Sequence, residues 1–359
     1  MIVSLTVRRA GERPDVQLAC LPRSHGGPPS GLARFLAPPA ALPLGPTVDR
    51  QCGRRRWGQR TERPLARTGG TPMTNVTVLG LGNLGQALAA TLLTAGHSVT
   101  VWNRSPEKAA KLVEQGAVRA GSAAEAVAAA ELVVVALLDY PTVHGVLEPL
   151  AEELAGRTVA NLTSGTPEQA RAFAAWAERS GVRYLDGAVM AVPQTVGTPG
   201  AFLFYSGSPE AYREHHELLA LLGEPRHLGE DPGLALLQDV ALLSGMYGMF
   251  AGHFQAVALG WSAGLSAVEV TAQLVRWLTA LLPALPHFAA EMDSRDYTTE
   301  TSNIAINATG LGNILRATER QGVPAGLLAP LQELFLRQLD AGHAAASLSR
   351  AVEELRVGE

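Results

Sequence analysis

A glycine-rich turn between a predicted strand and a predicted helix constrains the fold of this chain more than any other feature. The turn, GLGNLG at residues 80–85, follows a β-branched run over residues 76–79 and precedes a helical pattern over residues 86–95. A second strand is predicted over residues 98–102. A G-x-G-x-x-G turn in such a strand–helix–strand unit is typical of dinucleotide-binding folds, in which the helix N-terminus faces the pyrophosphate.

The residues of this turn have separate predicted roles in holding a dinucleotide. Gly80 permits the tight turn, Gly82 lets the pyrophosphate approach the backbone, and Gly85 allows close packing of the helix on the strand. Asn83 and Leu84 lie between these glycines and are predicted to contact the same ligand. The alternative is a glycine turn without a ligand, which the strand–helix context disfavours.

The end of the second strand indicates which dinucleotide is bound. An NAD site has Asp or Glu at this place, where the carboxylate accepts hydrogen bonds from the ribose hydroxyls. This chain has Asn103, Arg104 and Ser105 there, and Lys108 follows one turn into the next helix. Arg104 can pair with a 2′-phosphate, Ser105 can donate a hydroxyl hydrogen bond, and Lys108 adds positive charge. The pattern predicts NADPH, since a solvated surface Arg and Lys would leave the missing acid unexplained.

Further strands are predicted to extend a doubly wound, mostly parallel sheet. They are predicted in residues 131–137, 157–167, 182–193 and 201–207, and the second of these stretches ends in a polar loop. Ligands of such sheets bind at the carboxyl ends of the strands. We therefore expect Leu137, Leu138 and Asp139, together with Thr163 and Ser164, to approach the nicotinamide of the cofactor.

Charge and cysteine content exclude several classes of function. Residues 1–72 carry 12 Arg and 4 acids, about +8, so the rest of the chain carries about −12 of the net −4. An acidic body argues against nucleic acid as the main partner. Both cysteines, Cys20 and Cys52, precede residue 73, which leaves no disulfide framework or Cys-type metal site in the body. A reducing, cytoplasmic setting is the expectation, with no bound metal.

The first 72 residues do not have the pattern of a folded domain. They are rich in Arg, Pro and Gly and lack a sustained apolar period, which predicts disorder. Met73 stands directly before the first predicted strand, and 27 Arg against 2 Lys suggests a GC-rich gene with read-through upstream sequence. We favour Met73 as the natural start, so that residues 1–72 are not part of the natural protein. A functional tail, such as a transit peptide, is the alternative.

Three segments are predicted after this tail. Residues 73–232 form an α/β dinucleotide-binding domain of the Rossmann type, residues 233–262 a long inter-domain helix, and residues 263–359 an all-α C-terminal domain. The long helix is almost purely apolar, and such a helix can span a membrane. Basic flanks are absent, which disfavours a membrane span. Burial in an interlocked homodimer, which would cover the helix from both sides, is the favoured interpretation.

Asp239 interrupts the apolar run of this helix near its start. Burying an unpaired charge is costly or shifts its pKa, so packing alone does not explain a carboxylate there. At 100° per residue, one helix face combines Asp239 with Leu243, Met246, Tyr247 and Phe250, which is typical of a small-molecule pocket wall. The alternatives are a helix-dipole role for Asp239 and an ordinary core role for Tyr247.

From Met73 to its end the chain resembles the imine reductases and reductive aminases, of the 3-hydroxyacid dehydrogenase superfamily. The resemblance is carried by GLGNLG, WNRSPEK, NLTSGTP, YLDGAVMAVPQTVGTP with LFYSGS, the Asp239 helix, and MDSRDYTTETSNIAINATGLGNI. It implies a Rossmann domain, a long inter-domain helix and a helical dimerisation domain. It also implies that each C-terminal domain completes the partner's active site, and it adds Met190 and Ser164 to the predicted substrate pocket.

The resemblance suggests what Asp239 does. Hydroxyacid dehydrogenases of this superfamily carry Lys six residues after a glycine that matches Gly233, whereas this chain has Asp239 there. Lys⁺ would repel an iminium cation, but a carboxylate attracts it and a buried carboxylic acid can donate a proton. Tyr247 matches a pocket tyrosine of the aminases. Ser164 stands where some aminases have Asn, which counts against efficient amine condensation.

The sequence therefore predicts NADPH-dependent reduction of a small-molecule imine, or of a ketone with an amine. A 3-hydroxyacid or carbonyl dehydrogenase is the first alternative, and the absent Lys counts against it. A non-catalytic NADPH-binding protein is the second alternative.

Overall fold

The computed structural model of this chain describes residues 73–357. The predictions about residues 1–72 concern a segment outside these described residues. The described part opens with an eight-stranded sheet covered by helices and continues into a helical C-terminal half.

The sheet is mostly parallel, with the order β3-β2-β1-β4-β5-β6-β7-β8. Its strands are β1 (Asn75–Leu79), β2 (Ser98–Trp102), β3 (Val118–Arg119), β4 (Leu132–Val135), β5 (Thr158–Asn161), β6 (Arg183–Met190), β7 (Phe202–Gly207) and β8 (Glu224–His227). Every neighbouring pair is parallel except β6 with β7. The strand order reverses between β1 and β4, which is where a doubly wound sheet opens a crevice for ligands. The predicted fold class is confirmed.

Helices cover both faces of this sheet. They are α1 (Asn83–Thr94), α2 (Ala110–Glu114), α3 (Ala123–Ala128), α4 (Tyr140–Leu147), α5 (Ala151–Leu154), α6 (Pro167–Arg179) and α7 (Pro209–Ala220). One core cluster includes Leu88 and Leu92 of α1, and the other includes Leu147 of α4 and Phe173 of α6. The strands between them are buried on both faces, as their continuous apolar sequences require.

Three details of the sheet and its first helix differ from the sequence prediction. Strands β3 and β8 were not predicted, because β3 has two residues and β8 is a polar edge strand that contains Pro225. Pro is tolerated at such an edge, where no ladder hydrogen bond is lost. Helix α1 begins at Asn83, three residues before the predicted start, since the end of the glycine turn already forms its first turn.

The C-terminal half contains helices and no strand among its described residues, apart from one bridge between Asn303 and Ser347. The helices are α8 (Leu234–Ser262), α9 (Ala267–Leu281), α10 (Leu285–Ser294), α11 (Ile304–Arg320) and α12 (Ala329–Asp340), followed by a short helical turn (Leu348–Leu355). A small apolar cluster joins Ile304, Ala308, Phe335 and Ala351.

Helix α8 is anchored to the sheet at its first turn. The Ser206 hydroxyl accepts a hydrogen bond from the Ala235 N–H (3.0 Å) and donates one to the Pro232 carbonyl (2.8 Å). Ala235 packs against Ala188 and Phe204, so α8 starts directly over β6 and β7. Asp239, one turn later, is therefore carried into the space above the sheet.

Beyond this anchor, α8 and the helices after it expose a large apolar surface. The exposed side chains include Val240, Tyr247, Phe254, Trp261, Val268, Val275 and Trp277. By length and composition alone, Leu234–Ser262 and Ala267–Ser294 could each cross a membrane. Exposed apolar side chains in this number are more typical of an interaction site than of a solvated face.

Candidate active site

A cleft of about 500 Å³ opens at the carboxyl ends of β1, β2, β4 and β5. The predicted cofactor residues that line it are Gly80, Gly82, Asn83, Leu84, Gly85, Asn103, Arg104, Ser105, Lys108, Leu137 and Leu138. Trp102, Ala136, Thr142, Val146 and Leu162 also line the cleft and were not predicted. The cleft lies at the strand-order reversal between β1 and β4, the usual ligand position of such sheets.

The glycine turn brings backbone groups closer together than side chains would allow. Gly80 has φ +94°, and a Cβ there would lie 2.2 Å from the Ala136 carbonyl oxygen. A Cβ on Gly85 would lie 1.9 Å from the Gly80 carbonyl oxygen, whereas nothing lies within 4 Å of a Cβ on Gly82. Gly82 caps α1 with φ −66° and carries no side chain in front of the helix N–H groups. The open space at Gly82 therefore suits an anion at the helix N-terminus.

We expect Gly85→Ala and Gly82→Ala to separate folding from cofactor binding. Gly85→Ala should lower the free energy of unfolding of the apo protein by about 1–3 kcal/mol, because the added methyl group meets backbone. Gly82→Ala should change it by less than about 0.5 kcal/mol but weaken NADPH binding. Denaturant unfolding and fluorescence titration measure the two effects. Equal loss of stability in both variants would contradict this assignment.

Polar and basic side chains follow β2 at the far end of the cleft. The Asn103 side chain is engaged within the turn: its Oδ1 accepts from the Leu81 N–H (2.9 Å) and its Nδ2 donates to the Ser105 carbonyl (3.1 Å). Arg104 and Lys108 are exposed, and neither forms an ion pair within residues 73–357. Two cations without a protein counter-charge beside an acid-free strand end suit a 2′-phosphate.

Arg104→Ala should weaken binding of NADPH far more than binding of NADH. A charge-assisted hydrogen bond contributes about 1.5–3 kcal/mol, which corresponds to a loss of roughly 10- to 150-fold. Dissociation constants for both cofactors measure the effect, with exposed Arg320→Ala on α11 as a matched control. An equal loss of affinity for NADPH and NADH would mean that Arg104 does not bind the 2′-phosphate.

Thr163 does not lie where the sequence analysis placed it, at the end of the cleft where the nicotinamide was expected. Its side chain is 1% exposed and does not line the cleft, because its Oγ1 accepts a hydrogen bond from the Leu137 N–H at 3.1 Å. The Thr163 side chain therefore stabilises the loop that follows β4 through this hydrogen bond. Ser164, the next residue, does line the cleft.

Thr142 was missed by the sequence analysis, although a local signal was present. Its N–H and hydroxyl both donate to Asp139 Oδ1, at 2.9 and 2.6 Å. Asp139 is the N-cap of α4, and a hydrogen-bonding side chain three residues after such a cap faces the same loop as the strand end. The sequence DYPT following a buried strand could have indicated this arrangement.

Asp239 is buried, whereas part of the predicted pocket wall around it is exposed. Asp239 is 5% exposed, and burial raises the pKa of its carboxyl. Tyr247 and Phe250 lie on the same helix with ring centroids 6.2 Å apart, yet Tyr247 is 64% exposed. The predicted pocket residues Met190, Leu243, Met246, Tyr247 and Phe250 do not line the cleft in this chain.

A second buried carboxyl, Asp186, was missed by the sequence analysis. It lies on β6 and is fully buried. Its Oδ2 accepts hydrogen bonds from the Tyr140 hydroxyl and from the Tyr184 hydroxyl, the latter at 2.5 Å. Asn161 Nδ2 in turn donates to the Tyr184 oxygen at 3.1 Å. The sequence could have indicated this carboxyl, because Asp186 is an acid within the apolar strand YLDGAV. Asp239 is likewise an acid within an apolar segment.

Two family models together match nearly all of the described residues. Residues 75–229 match the NAD binding domain of 6-phosphogluconate dehydrogenase, and residues 231–357 match the NADPH-dependent reductive aminase-like C-terminal domain. An NADPH-dependent reductive aminase from Aspergillus oryzae is 40% identical over 289 residues, which are 79% of this chain and 98% of that protein. The chain belongs to the imine reductase and reductive aminase family.

Solved structures of this family have the same fold. A reductive aminase from Aspergillus terreus, in complex with NADPH and ethyl levulinate, is 42% identical with a TM-score of 0.75, and covers 79% of this chain and 100% of its own. An imine reductase from Myxococcus stipitatus, in complex with NADP⁺, is 30% identical with a TM-score of 0.76 and the same coverage. The predictions of an NADPH-dependent oxidoreductase and of this family are confirmed.

Proposed function

We propose that this imine reductase acts on the C=N bond of a small imine or iminium ion, with Asp239 as the group that acts on nitrogen. The observation that carries the proposal is a carboxyl, 5% exposed, on an otherwise apolar helix of a chain in this family. A ketone together with an amine is the alternative entry to the same C=N bond. Ser164 lines the cleft at the position where some aminases have Asn, so we expect preformed imines to be the better substrates.

The cofactor cleft supports this chemistry. Gly82 leaves room at the N-terminus of α1 for the pyrophosphate, and Arg104 with Lys108 would hold the 2′-phosphate. Leu137 and Ser164 would adjoin the nicotinamide end. When bound there, NADPH supplies the hydride that the imine carbon needs.

Burial gives Asp239 the protonation behaviour that the reaction requires. Its pKa is raised because the low-polarity surroundings disfavour the charged carboxylate, so the proton is retained to higher pH than on an exposed Asp. The protonated carboxyl can donate to a neutral imine nitrogen, and the carboxylate left behind then attracts the iminium cation. Turnover of a neutral imine should fall as pH rises through the raised pKa.

Asp239→Asn tests this role, because it keeps the shape but can neither donate an acidic proton nor carry charge. General acid catalysis contributes about 10²–10⁴-fold, so kcat for a neutral cyclic imine should fall by that order. A preformed N-alkyl iminium ion needs no proton and should lose less. NADPH consumption at saturating cofactor measures both rates.

The matched control is Asp340→Asn, the same change at an exposed position on α12, which should leave both rates unchanged. If Asp239→Asn leaves kcat unaltered for both substrates, Asp239 is a structural residue and the proposal is wrong. Turnover of a 3-hydroxy acid by the unaltered enzyme would favour the dehydrogenase alternative instead.

We further propose that the enzyme is an interlocked homodimer. The support is the apolar surface on α8 and α9, which includes Tyr247, Trp261 and Trp277. The predicted pocket wall on α8 lies on this surface, so a partner chain that covered it would also complete the substrate site. A solvated monomer would expose the same residues at a large hydrophobic cost.

Trp277→Glu should weaken this dimer, since it places a charge on a surface that needs an apolar partner. Trp277 is 61% exposed in the single chain. Val118→Glu, at a 57% exposed apolar residue on β3, is the matched control. Light scattering should give a dimer for the unaltered enzyme and the control. A stable and active monomer would contradict the proposed dimer. Solubility only in detergent would instead favour a membrane protein.

A cytoplasmic location stays a proposal from the sequence. Its support is that residues 73–359 contain no cysteine, so the body of the enzyme needs no oxidising compartment for disulfides.

A further inference from the structure

A chain of hydrogen bonds runs from the cofactor cleft into the core of the sheet, through the loop between β5 and α6 (residues 162–166). Thr163 Oγ1 accepts from the Leu137 N–H at 3.1 Å, which ties this loop to the end of β4. The Thr163 N–H donates to Asn161 Oδ1 at 3.2 Å. Asn161 Nδ2 donates to the Tyr184 oxygen at 3.1 Å, and the Tyr184 hydroxyl donates to Asp186 Oδ2 at 2.5 Å. Each donor lies on the cleft side of its acceptor, so Asp186 is the final acceptor of the chain.

A second contact reaches the same loop from Asp186 through Tyr140. The Tyr140 hydroxyl also donates to Asp186 Oδ2. Its ring packs against the backbone at Gly165, where a Cβ would lie 2.5 Å from two carbon atoms of the ring. Ser164, which lines the cleft, stands between Thr163 and Gly165. Asp186 is therefore connected to the chain on both sides of Ser164.

The polar groups of this chain lie inside the apolar core. Asn161 and Asp186 are register partners of the parallel strands β5 and β6, and both are fully buried. Tyr140 and Tyr184 belong to the core cluster that contains Phe173. Burying polar side chains costs free energy unless they are hydrogen-bonded, and apolar side chains would fill this space without that cost. Hydrogen bonds, however, hold their partners in a defined geometry, which apolar contacts do not. A buried chain that ends at the cleft therefore suits the placement of cleft residues.

We propose that Asp186 is a positioning residue for the cofactor, which acts through the two phenols that donate to it. By these contacts it fixes Leu137 and Ser164 at the end of the cleft where the nicotinamide would lie. The inference rests on the cofactor position of the proposed function. Hydride transfer requires the nicotinamide close to the imine carbon, and a displacement of about 1 Å can lower the rate by about 100-fold. In this role Asp186 exchanges no proton and changes no bond.

Tyr184→Phe tests the chain, because it removes the hydroxyl between Asn161 and Asp186 but keeps the ring that packs on Phe173. At saturating NADPH, kcat for a cyclic imine should fall by about 10-fold, since the loop is held less precisely. Affinity for 2′,5′-ADP, which lacks the nicotinamide, should not change. Tyr205→Phe is the matched control, because this buried hydroxyl on β7 has no hydrogen-bond partner within the described residues. An unaltered kcat, or an equal loss of affinity for 2′,5′-ADP, would overturn the inference.

Hydrogen exchange of the apo enzyme tests the same chain without turnover. The N–H groups of Leu137 and Thr163 are donors in it, so Tyr184→Phe should make peptides that contain them exchange faster. Tyr205→Phe should leave their exchange unchanged, and peptides from α7 should be unaffected in both variants. Uniform acceleration over the whole domain would indicate only a loss of global stability, which would count against a positioning role.

Two changes at Asp186 separate its hydrogen bonds from its charge. Asp186→Asn keeps an oxygen that can accept from the phenols, whereas Asp186→Leu keeps only a similar volume. We expect kcat to fall by about 10-fold or more in Asp186→Leu and by less in Asp186→Asn. Equal losses would show that the acceptor is not what matters, and the inference would be wrong. Thr163→Val and Thr163→Ser give the same comparison at the other end of the chain, so the inference stays testable if Asp186→Leu does not fold.

These measurements distinguish failure of this inference from failure of the proposed function. If Arg104→Ala leaves the affinity for 2′,5′-ADP unchanged, the proposed cofactor position is wrong, even where hydrogen exchange shows that the chain holds the loop. If Arg104→Ala weakens that binding and Tyr184→Phe changes neither kcat nor exchange, the cofactor position stands and the role of Asp186 is refuted.

Discussion

The close approach of helix α1 to strand β1 is the constraint on which the cofactor cleft depends. The Gly80 carbonyl lies where a Cβ of Gly85 would be, so the helix can begin directly at the end of the strand. Its free N–H groups then face the crevice at the strand-order reversal between β1 and β4. A larger side chain at Gly85 would meet the Gly80 carbonyl and would destabilise this packing.

A second constraint is the cost of burying carboxyl groups above β6. Neither Asp186 nor Asp239 has a cationic partner among the described residues, so neither is held by an ion pair. Two phenols donate hydrogen bonds to Asp186, and no such donor to Asp239 is found within residues 73–357. A buried carboxyl without a cationic partner is stabilised when a proton or a cation binds to it, because either one supplies the missing partner.

Sequence reasoning succeeded where a feature is local and failed where it depends on distant residues. The glycine turn, the acid-free end of β2 and the apolar helix with Asp239 are each visible within about 30 residues. The hydrogen bond from Tyr140 to Asp186 joins residues 46 positions apart, and no periodic pattern in the sequence indicates it. Strand β8 is polar and pairs at an edge, so its strand character comes from β7 rather than from its own sequence.

The two halves of helix α8 differ in burial, because only the first half packs against the sheet of its own chain. Its first two turns bury Ala235, Leu236 and Asp239 against the sheet of their own chain. From Val240 to Phe254 most side chains are exposed, although the sequence is equally apolar. A helix gains no stability from exposed Tyr, Met and Phe, so this part of the surface is consistent with the proposed dimer. In the proposed dimer, the substrate site would lie at the boundary between the two halves, where Asp239 is held by the sheet of its own chain.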